Sequence, residues 1–137
     1  ALKAPKPKSS KYHQQLNTLG DHIRKRRLDQ GLFQKQVADQ IGVSEATIWN
    51  WECHESSPQI HVLPRVIKFL GYNPLPASDS LAGRLLMTRK TLGLTQKEMA
   101  KRLGIDPTTL ARLERGNNRR VFAKTLRKLA GFIPRGP

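Results

Sequence analysis

The chain has 137 residues, of which 37% are hydrophobic, and its 25 Lys and Arg against 10 Asp and Glu give a formal net charge of +15. This length suits two small helical domains of about 55 to 60 residues each, a size that can just sustain its own core. So much positive charge would repel itself without a polyanionic partner, so we expect nucleic acid, and no long apolar run or broad apolar helix face indicates a membrane partner.

Residues 1–16 are predicted to form a flexible basic arm. They mix Lys, Pro and Ser and offer little to bury, which is typical of a solvated segment. Such an arm can follow a DNA groove or the phosphate backbone, or it can serve only as a solubilising tail. It has no apolar core of signal-peptide length, so we expect a cytoplasmic, nucleoid-associated protein.

The first folded domain is predicted over residues 17–73. Its first helix starts at Thr18, where Asp21 three residues later indicates a capping box, and it stops at Gly31. The domain closes with a further helix over residues 63–70, which begins with an early proline and is followed by a glycine.

Between these helices lie two more, joined by a tight turn. The second helix covers about residues 34–40, and because Phe33 at its N-cap cannot accept a hydrogen bond, we expect packing to hold its entry. The third helix starts at Ser44, a good N-cap, and ends near Cys53. Its inward side chains are those of Ile48 and Trp51, and its outer face carries Glu45, Ala46, Trp49 and Asn50.

After a short linker, residues 74–80, the second domain is predicted over residues 81–137. Its clearest segment is again a pair of short helices with a tight turn. Thr95 and Glu98 indicate a capping box at the first, Gly104 ends that helix in the left-handed region, and a new N-cap follows at once. We expect flanking helices from about residue 80 and over about residues 120–130.

The two domains are an internal duplication with a constant offset of 62 residues. Small residues, turn glycines and apolar positions coincide without a gap across the two short helices. The charge does not repeat, because residues 17–71 hold 7 Lys and Arg against 6 Asp and Glu, whereas residues 81–137 hold 14 against 3. We expect the second domain to bind phosphates more strongly.

A basic and an acidic residue also recur at fixed offsets. Arg27 lies four residues before Gly31, as Arg89 lies four before Gly93, and each is followed by an acid at the end of the third helix. The arrangement predicts two structural bidentate ion pairs, Arg27 with Glu52 and Arg89 with Glu114.

Nothing in the sequence indicates an enzyme. The only cysteine is Cys53, so an intramolecular disulfide or a thiolate metal cage is excluded. The four histidines are scattered and come without paired carboxylates, metal-ligand spacing or a phosphate loop. We therefore expect no catalytic residues, no metal, no cofactor and no small-molecule ligand.

The motif Arg-x-x-x-Gly-Leu-x-Gln-x-x-x-Ala at residues 27–38 and again at 89–100, each followed by Gly-Val-Ser or Gly-Ile-Asp, resembles the Cro/CI repressor-like, or XRE, helix-turn-helix family. The resemblance covers residues 18–71 and 81–131. It implies an all-α fold of two tandem lambda-repressor-like domains, each with four to five helices, and double-stranded DNA as the partner.

In that family the third helix lies in the major groove and its N-terminal side chains contact bases. Carried over by position, the resemblance implies that the base contacts are Glu45, Ala46, Trp49, Asn50, Pro107, Thr108 and Arg112. It implies that the phosphate contacts are Gln34, Ser44, Thr47, Gln96, Thr109, Asn117, Arg119 and Arg120. For Trp49 three alternatives stay open: contact with sugars or a thymine methyl, cover for the fourth helix, or contact with the other repeat.

Two functional hypotheses follow from the tandem arrangement. The first is a sequence-specific regulator of bacterial or mobile-element transcription, repressor-like, in which two recognition helices from one chain occupy an operator. The second is a DNA-binding accessory protein whose first repeat docks a protein, such as a transposition complex, RNA polymerase or a toxin. A homodimer is compatible with either hypothesis.

Overall fold

The computed structural model describes residues 16–116 together with Arg127 and Gly131. Within this part the regular secondary structure is entirely helical, as predicted. By its internal contacts the chain divides into two compact units, residues 1–58 and 59–137. The domain boundaries expected from the sequence repeat, with a linker at residues 74–80, remain a prediction, and the expected basic arm and last helix lie outside the described residues apart from isolated positions.

The described residues of the first unit form three α-helices: α1 (Leu19–Asp29), α2 (Gln34–Ile41) and α3 (Glu45–Glu52). The capping box predicted at α1 is present, since the Thr18 hydroxyl accepts from the Asp21 amide and the Asp21 carboxylate accepts from the Thr18 amide, both at 3.0 Å. Gly42 ends α2 in the left-handed region at φ 86°, and Ser44 caps α3. The tight turn between α2 and α3 follows from these two residues.

The entry to α2 differs from the prediction. Phe33 is 76% exposed, so the expectation that packing holds this helix start is wrong. The side chain of Gln36 instead reaches back and its Oε1 accepts a hydrogen bond from the Phe33 amide at 2.8 Å. A glutamine three residues after the N-cap supplies this half of a capping box whatever the N-cap side chain is.

Helix α3 packs against both α1 and α2, and it buries two of its side chains in doing so. The buried hydrophobic residues of these three helices are Ile23, Val37, Ala38, Ile41, Ile48 and Trp51. Gly20 permits the close approach of α1 to the end of α3, because a Cβ there would lie 2.6 Å from the carbonyl carbon of Trp51 and would overlap the carbonyl oxygen.

The second unit begins with a single 3₁₀ turn (Ile60–Val62) and contains four described α-helices: α4 (Leu63–Leu70), α5 (Leu81–Leu92), α6 (Gln96–Leu103) and α7 (Pro107–Glu114). Ser80 caps α5, and the capping box predicted for α6 is present between Thr95 and Glu98. Asp106 stands at the N-cap of α7 but makes no capping hydrogen bond with its side chain.

The core of the second unit repeats that of the first. Helix α7 packs against α5 and α6, and α4 packs against α5. A buried cluster consists of Leu85, Leu94, Met99, Ala100, Leu103, Leu110 and Leu113. Gly104 ends α6 in the left-handed region at φ 68°, as Gly42 ends α2. None of the helices between residues 16 and 116 is long and apolar enough to cross a bilayer.

Candidate nucleic-acid interface

One hydrogen-bond network holds the three helices of the first unit together. Arg27 donates from Nε and Nη2 to the two carboxylate oxygens of Glu52, each at 2.8 Å. Its remaining nitrogen, Nη1, donates to the carbonyl of Leu32 at 3.1 Å, and Gln34 donates from Nε2 to Glu52 at 3.3 Å. The network therefore ties the end of α1 and the start of α2 to the end of α3.

The second unit contains the same network. Arg89 donates to the two oxygens of Glu114 at 2.6 and 3.1 Å and to the carbonyl of Leu94 at 3.0 Å. Gln96 donates to Glu114 at 2.9 Å. The side chains of Arg89 and Glu114 are only 11% and 5% exposed, so this ion pair is shielded from solvent and its geometry is fully bidentate.

We call these sets the first network (Arg27, Gln34 and Glu52) and the second network (Arg89, Gln96 and Glu114). Both contain the ion pair that the spacing predicted. The role of the glutamine in them was not predicted. Each glutamine amide donates one hydrogen bond to the glutamate, and since an amide nitrogen carries two hydrogens, one remains for the expected phosphate contact.

The expected base contacts lie on the outer faces of α3 and α7. Glu45, Ala46 and Trp49 are exposed and Asn50 is half-buried, whereas Ile48 and Trp51 on the same helix are buried. On α7 the exposed side chains are those of Pro107, Thr108 and Arg112. The alternation of buried and exposed positions places each expected group on one side of its helix, away from the core.

The expected phosphate contacts have more varied surroundings. The Ser44 hydroxyl accepts from the Thr47 amide at 3.1 Å and shares a hydrogen bond of 2.8 Å with the Thr47 hydroxyl, so both side chains serve the cap of α3. Thr109 is half-buried on α7. The expected contacts Asn117, Arg119 and Arg120 lie outside the described residues.

The two units differ in the charge around these helices. Helix α3 contains no Lys or Arg, whereas α7 carries Arg112. Three exposed cations on the neighbouring α6, Lys97, Lys101 and Arg102, add to the positive field of the second unit. The uneven charge of the sequence is thus present around the candidate surfaces themselves.

His54 makes a contact that sequence reasoning missed. It has a left-handed backbone at φ 65°, and the residue 62 positions later is Gly116, at φ 85°. Its Nε2 lies 2.7 Å from Oδ1 of Asp21, the residue that caps α1. Partial burial raises the pKa of Asp21, but hydrogen bonds from His54 and from the amides of Thr18 and Asn17 outweigh it and lower that pKa.

A second histidine pairs with the capping carboxylate of α6. His61 Nε2 lies 2.9 Å from Oε1 of Glu98, which also accepts from the Thr95 amide at 2.9 Å. The backbone hydrogen bond from Thr95, followed by the side-chain bonds from His61 and Thr95, lowers the pKa of Glu98 to about 2. Among the described residues, no group of three His, Cys, Asp or Glu could hold a metal ion.

Titration of Glu98 provides a direct test of this arrangement. Because its pKa falls from an ordinary value of 4.5 to about 2, its stabilising contribution is present above pH 4.5 and is lost as the pH falls through about 2. Carboxyl-carbon NMR on the full chain is expected to show a midpoint near 2. In His61→Ala the midpoint should rise, because one hydrogen bond to the carboxylate is gone. A midpoint near 4.5 in the unaltered chain would contradict the geometry.

Comparison with known proteins identifies the architecture. Helix-turn-helix domains match at residues 23–75 and 85–136, and neither the curated proteins nor the solved structures include a match to the chain. The predicted fold class, all-α with two tandem domains, is confirmed. The two matches indicate a DNA-binding function like that of transcription regulators. The chain belongs to the helix-turn-helix family of the Cro/CI, or XRE, type, with the domain present twice.

Proposed function

We propose that this protein is a sequence-specific double-stranded DNA-binding regulator that uses two different recognition helices from one chain. The observation that carries the proposal is the repetition of the same buried network beneath two exposed helix faces, those of α3 and α7. Each network fixes the end of the recognition helix to the two preceding helices. The exposed half of that helix is left to contact base edges in a major groove.

The exposed side chains suit base recognition of two kinds. Arg112 can donate a bidentate pair to guanine O6 and N7, and Asn50 can form the corresponding pair with adenine N6 and N7. Thr108 and Ala46 can contact a thymine methyl. Because these residues differ between α3 and α7, the proposed operator is asymmetric, with two unlike half-sites.

Phosphate contacts would then position each helix without reading sequence. We assign this role to Gln34 and Gln96, whose free amide hydrogens lie at the starts of α2 and α6, where the helix dipole favours an anion. Thr109 and the basic residues around α6 would make further phosphate contacts. The protein would act at a bacterial or mobile-element operator by occupying it, as a repressor does.

Two substitutions test base recognition. After selection of binding sites from random-sequence DNA with the full chain, Asn50→Ala and Arg112→Ala should each lower affinity by about 1–3 kcal/mol and relax preference at particular base positions. The measurement is competitive binding of each variant to the selected duplex and to every single base-pair change within it.

Arg112→Lys is the matched control for the arginine. Lysine keeps the charge but loses the planar fork that matches guanine. It should retain the salt dependence of binding and still lose the preference at the guanine position. If the alanine variants instead weaken binding to all sequences equally, both side chains contact only the backbone and the proposed readout is wrong.

The alternative function, in which the first repeat docks a protein, is favoured by one observation. Residues 17–71 are nearly neutral, and the outer face of α3 has no cation. This alternative predicts that Asn50→Ala and Trp49→Ala leave both affinity and salt slope unchanged on the selected duplex. The regulator model instead predicts that each of these two substitutions lowers affinity, through the loss of a contact at one half-site.

A further inference from the structure

The outer face of α3 differs in chemistry from that of α7 at every exposed position. Glu45, Ala46 and Trp49 on α3 correspond to Pro107, Thr108 and Ala111 on α7. A carboxylate and a large aromatic ring thus occur on the outer face of α3 and not on that of α7. A base that both side chains recognise together would therefore occur only in the half-site that α3 contacts.

Glu45 and Trp49 lie four residues apart on one helix, so their side chains are neighbours on the same face. The Trp49 side chain is 51% exposed, an unusual position for an indole, whose burial normally contributes large apolar stabilisation. Within residues 16–116 no hydrogen bond or ion pair of the structure engages the Glu45 carboxylate. The first unit therefore presents an acceptor that no described residue engages, beside an exposed apolar surface.

We infer that Glu45 and Trp49 together select 5-methylcytosine in the first half-site, an inference that rests on the DNA-binding function proposed above. Cytosine presents its N4 amino donor in the major groove next to C5. The Glu45 carboxylate accepts from N4, and the indole of Trp49 covers the methyl group on C5.

The same pair discriminates against the other pyrimidine. Thymine carries the C5 methyl but presents O4, an acceptor, where cytosine presents a donor. A carboxylate facing O4 repels it and loses its own hydration without compensation. Unmethylated cytosine satisfies Glu45 but leaves the indole without its apolar contact. The expected order of affinity is 5-methylcytosine, then cytosine, then thymine.

The absence of a cation on α3 agrees with this chemistry. A nearby Lys or Arg would neutralise the carboxylate or favour guanine, the usual partner of Arg in the major groove. The carboxylate also reduces attraction to phosphates, so the first unit gains less from the backbone and depends more on its base contacts. The more basic second unit supplies the general attraction.

The test uses the full chain and two random duplex pools, one synthesised with cytosine and one with 5-methylcytosine. Selected duplexes are then made with cytosine, 5-methylcytosine, thymine or uracil at each pyrimidine position in turn. At one position, 5-methylcytosine should bind about fourfold tighter than cytosine, as expected for one buried methyl. Thymine and uracil there should bind about tenfold weaker than cytosine, or worse.

Two variants separate the contributions of the pair. Trp49→Ala should abolish the gain from the methyl and keep the preference for cytosine over thymine. Glu45→Gln should keep the methyl gain and relax the preference, because an amide can donate to O4 as well as accept from N4. Both side chains are exposed, and circular dichroism confirms folding. Arg112→Ala is the control, since it should weaken binding to the duplexes that differ only at this position and leave these ratios unchanged.

The outcomes also distinguish this inference from the proposed function. A selected consensus whose affinity is indifferent to C5 methylation overturns the inference and leaves the regulator function standing. The inference is also overturned if the affinity gained from the C5 methyl persists in Trp49→Ala, or if Arg112→Ala removes that gain. If no consensus emerges from either pool, both the inference and the proposed function fail.

Discussion

Glu52→Ala is expected to destabilise the first unit by about 3–5 kcal/mol, the cost of breaking a buried ion pair by removal of one partner. The Arg27 and Glu52 side chains are 14% and 4% exposed, so little solvent is available to the arginine once its carboxylate is gone. Gln34 loses its acceptor at the same time. Urea unfolding followed by tryptophan fluorescence reports on this unit, since both tryptophans of the chain lie on α3.

Two control variants test whether the loss of stability comes from the buried ion pair. Lys25→Ala breaks an exposed ion pair in the same unit, Lys25 with Asp29, and should cost no more than about 0.5 kcal/mol. Adding Arg27→Ala to Glu52→Ala should recover part of the loss, because no buried charge is then left unpaired. If the double variant loses as much as the two single variants combined, the pair is not coupled and the network has no structural role.

Gly20→Ala is expected to cost about 2–3 kcal/mol, a large effect for the addition of one methyl group. The new Cβ would overlap the backbone carbonyl of Trp51, and a backbone atom in a helix cannot move aside as a side chain can. Relief therefore requires α1 and α3 to separate, which opens the core between them. The same fluorescence-detected unfolding measures the loss.

Gly83→Ala on the first turn of α5 is the matched control. A Cβ there would overlap side-chain atoms of Ser78, which can rotate away, and alanine favours the helix. Its unfolding, followed by circular dichroism, should change by less than about 1 kcal/mol in either direction. Equal losses in the two variants would show that helix geometry, not the approach of α1 to α3, sets the cost.

Much of the fold could be predicted because its signals are local and occur twice. The positions of Gly42 and Gly104 identify the turns, and the fixed spacing of Arg27 to Glu52 identifies an ion pair between distant segments. Most features that the sequence did not reveal depend on residues that are neighbours only in the folded structure. The hydrogen bond that the Phe33 amide donates to Oε1 of Gln36 is an exception, since the place of Gln36 three residues after the N-cap could have indicated it.

On the candidate surface, too, local patterns were predictable from the sequence and contacts between distant residues were not. Helical periodicity was sufficient to place Glu45 and Trp49 on the outer face of α3, because Ile48 and Trp51 mark its buried side, whereas the place of Arg112 came from the family resemblance. The pairing of His54 with Asp21 was not predictable from spacing, because a loop brings the two together. One signal did exist, since the repeat aligns His54 with Gly116, a residue type that marks a left-handed backbone.

The side chains that hold α3 and α7 in place are not the side chains that these helices expose to solvent. The first and second networks use the last residue of α3 and α7, whereas the exposed groups occupy the earlier turns. Mutations can therefore accumulate on the exposed turns with little effect on folding. Under the proposed function, descendants of this chain could change their target sequences one half at a time, keeping one specificity while the other drifts.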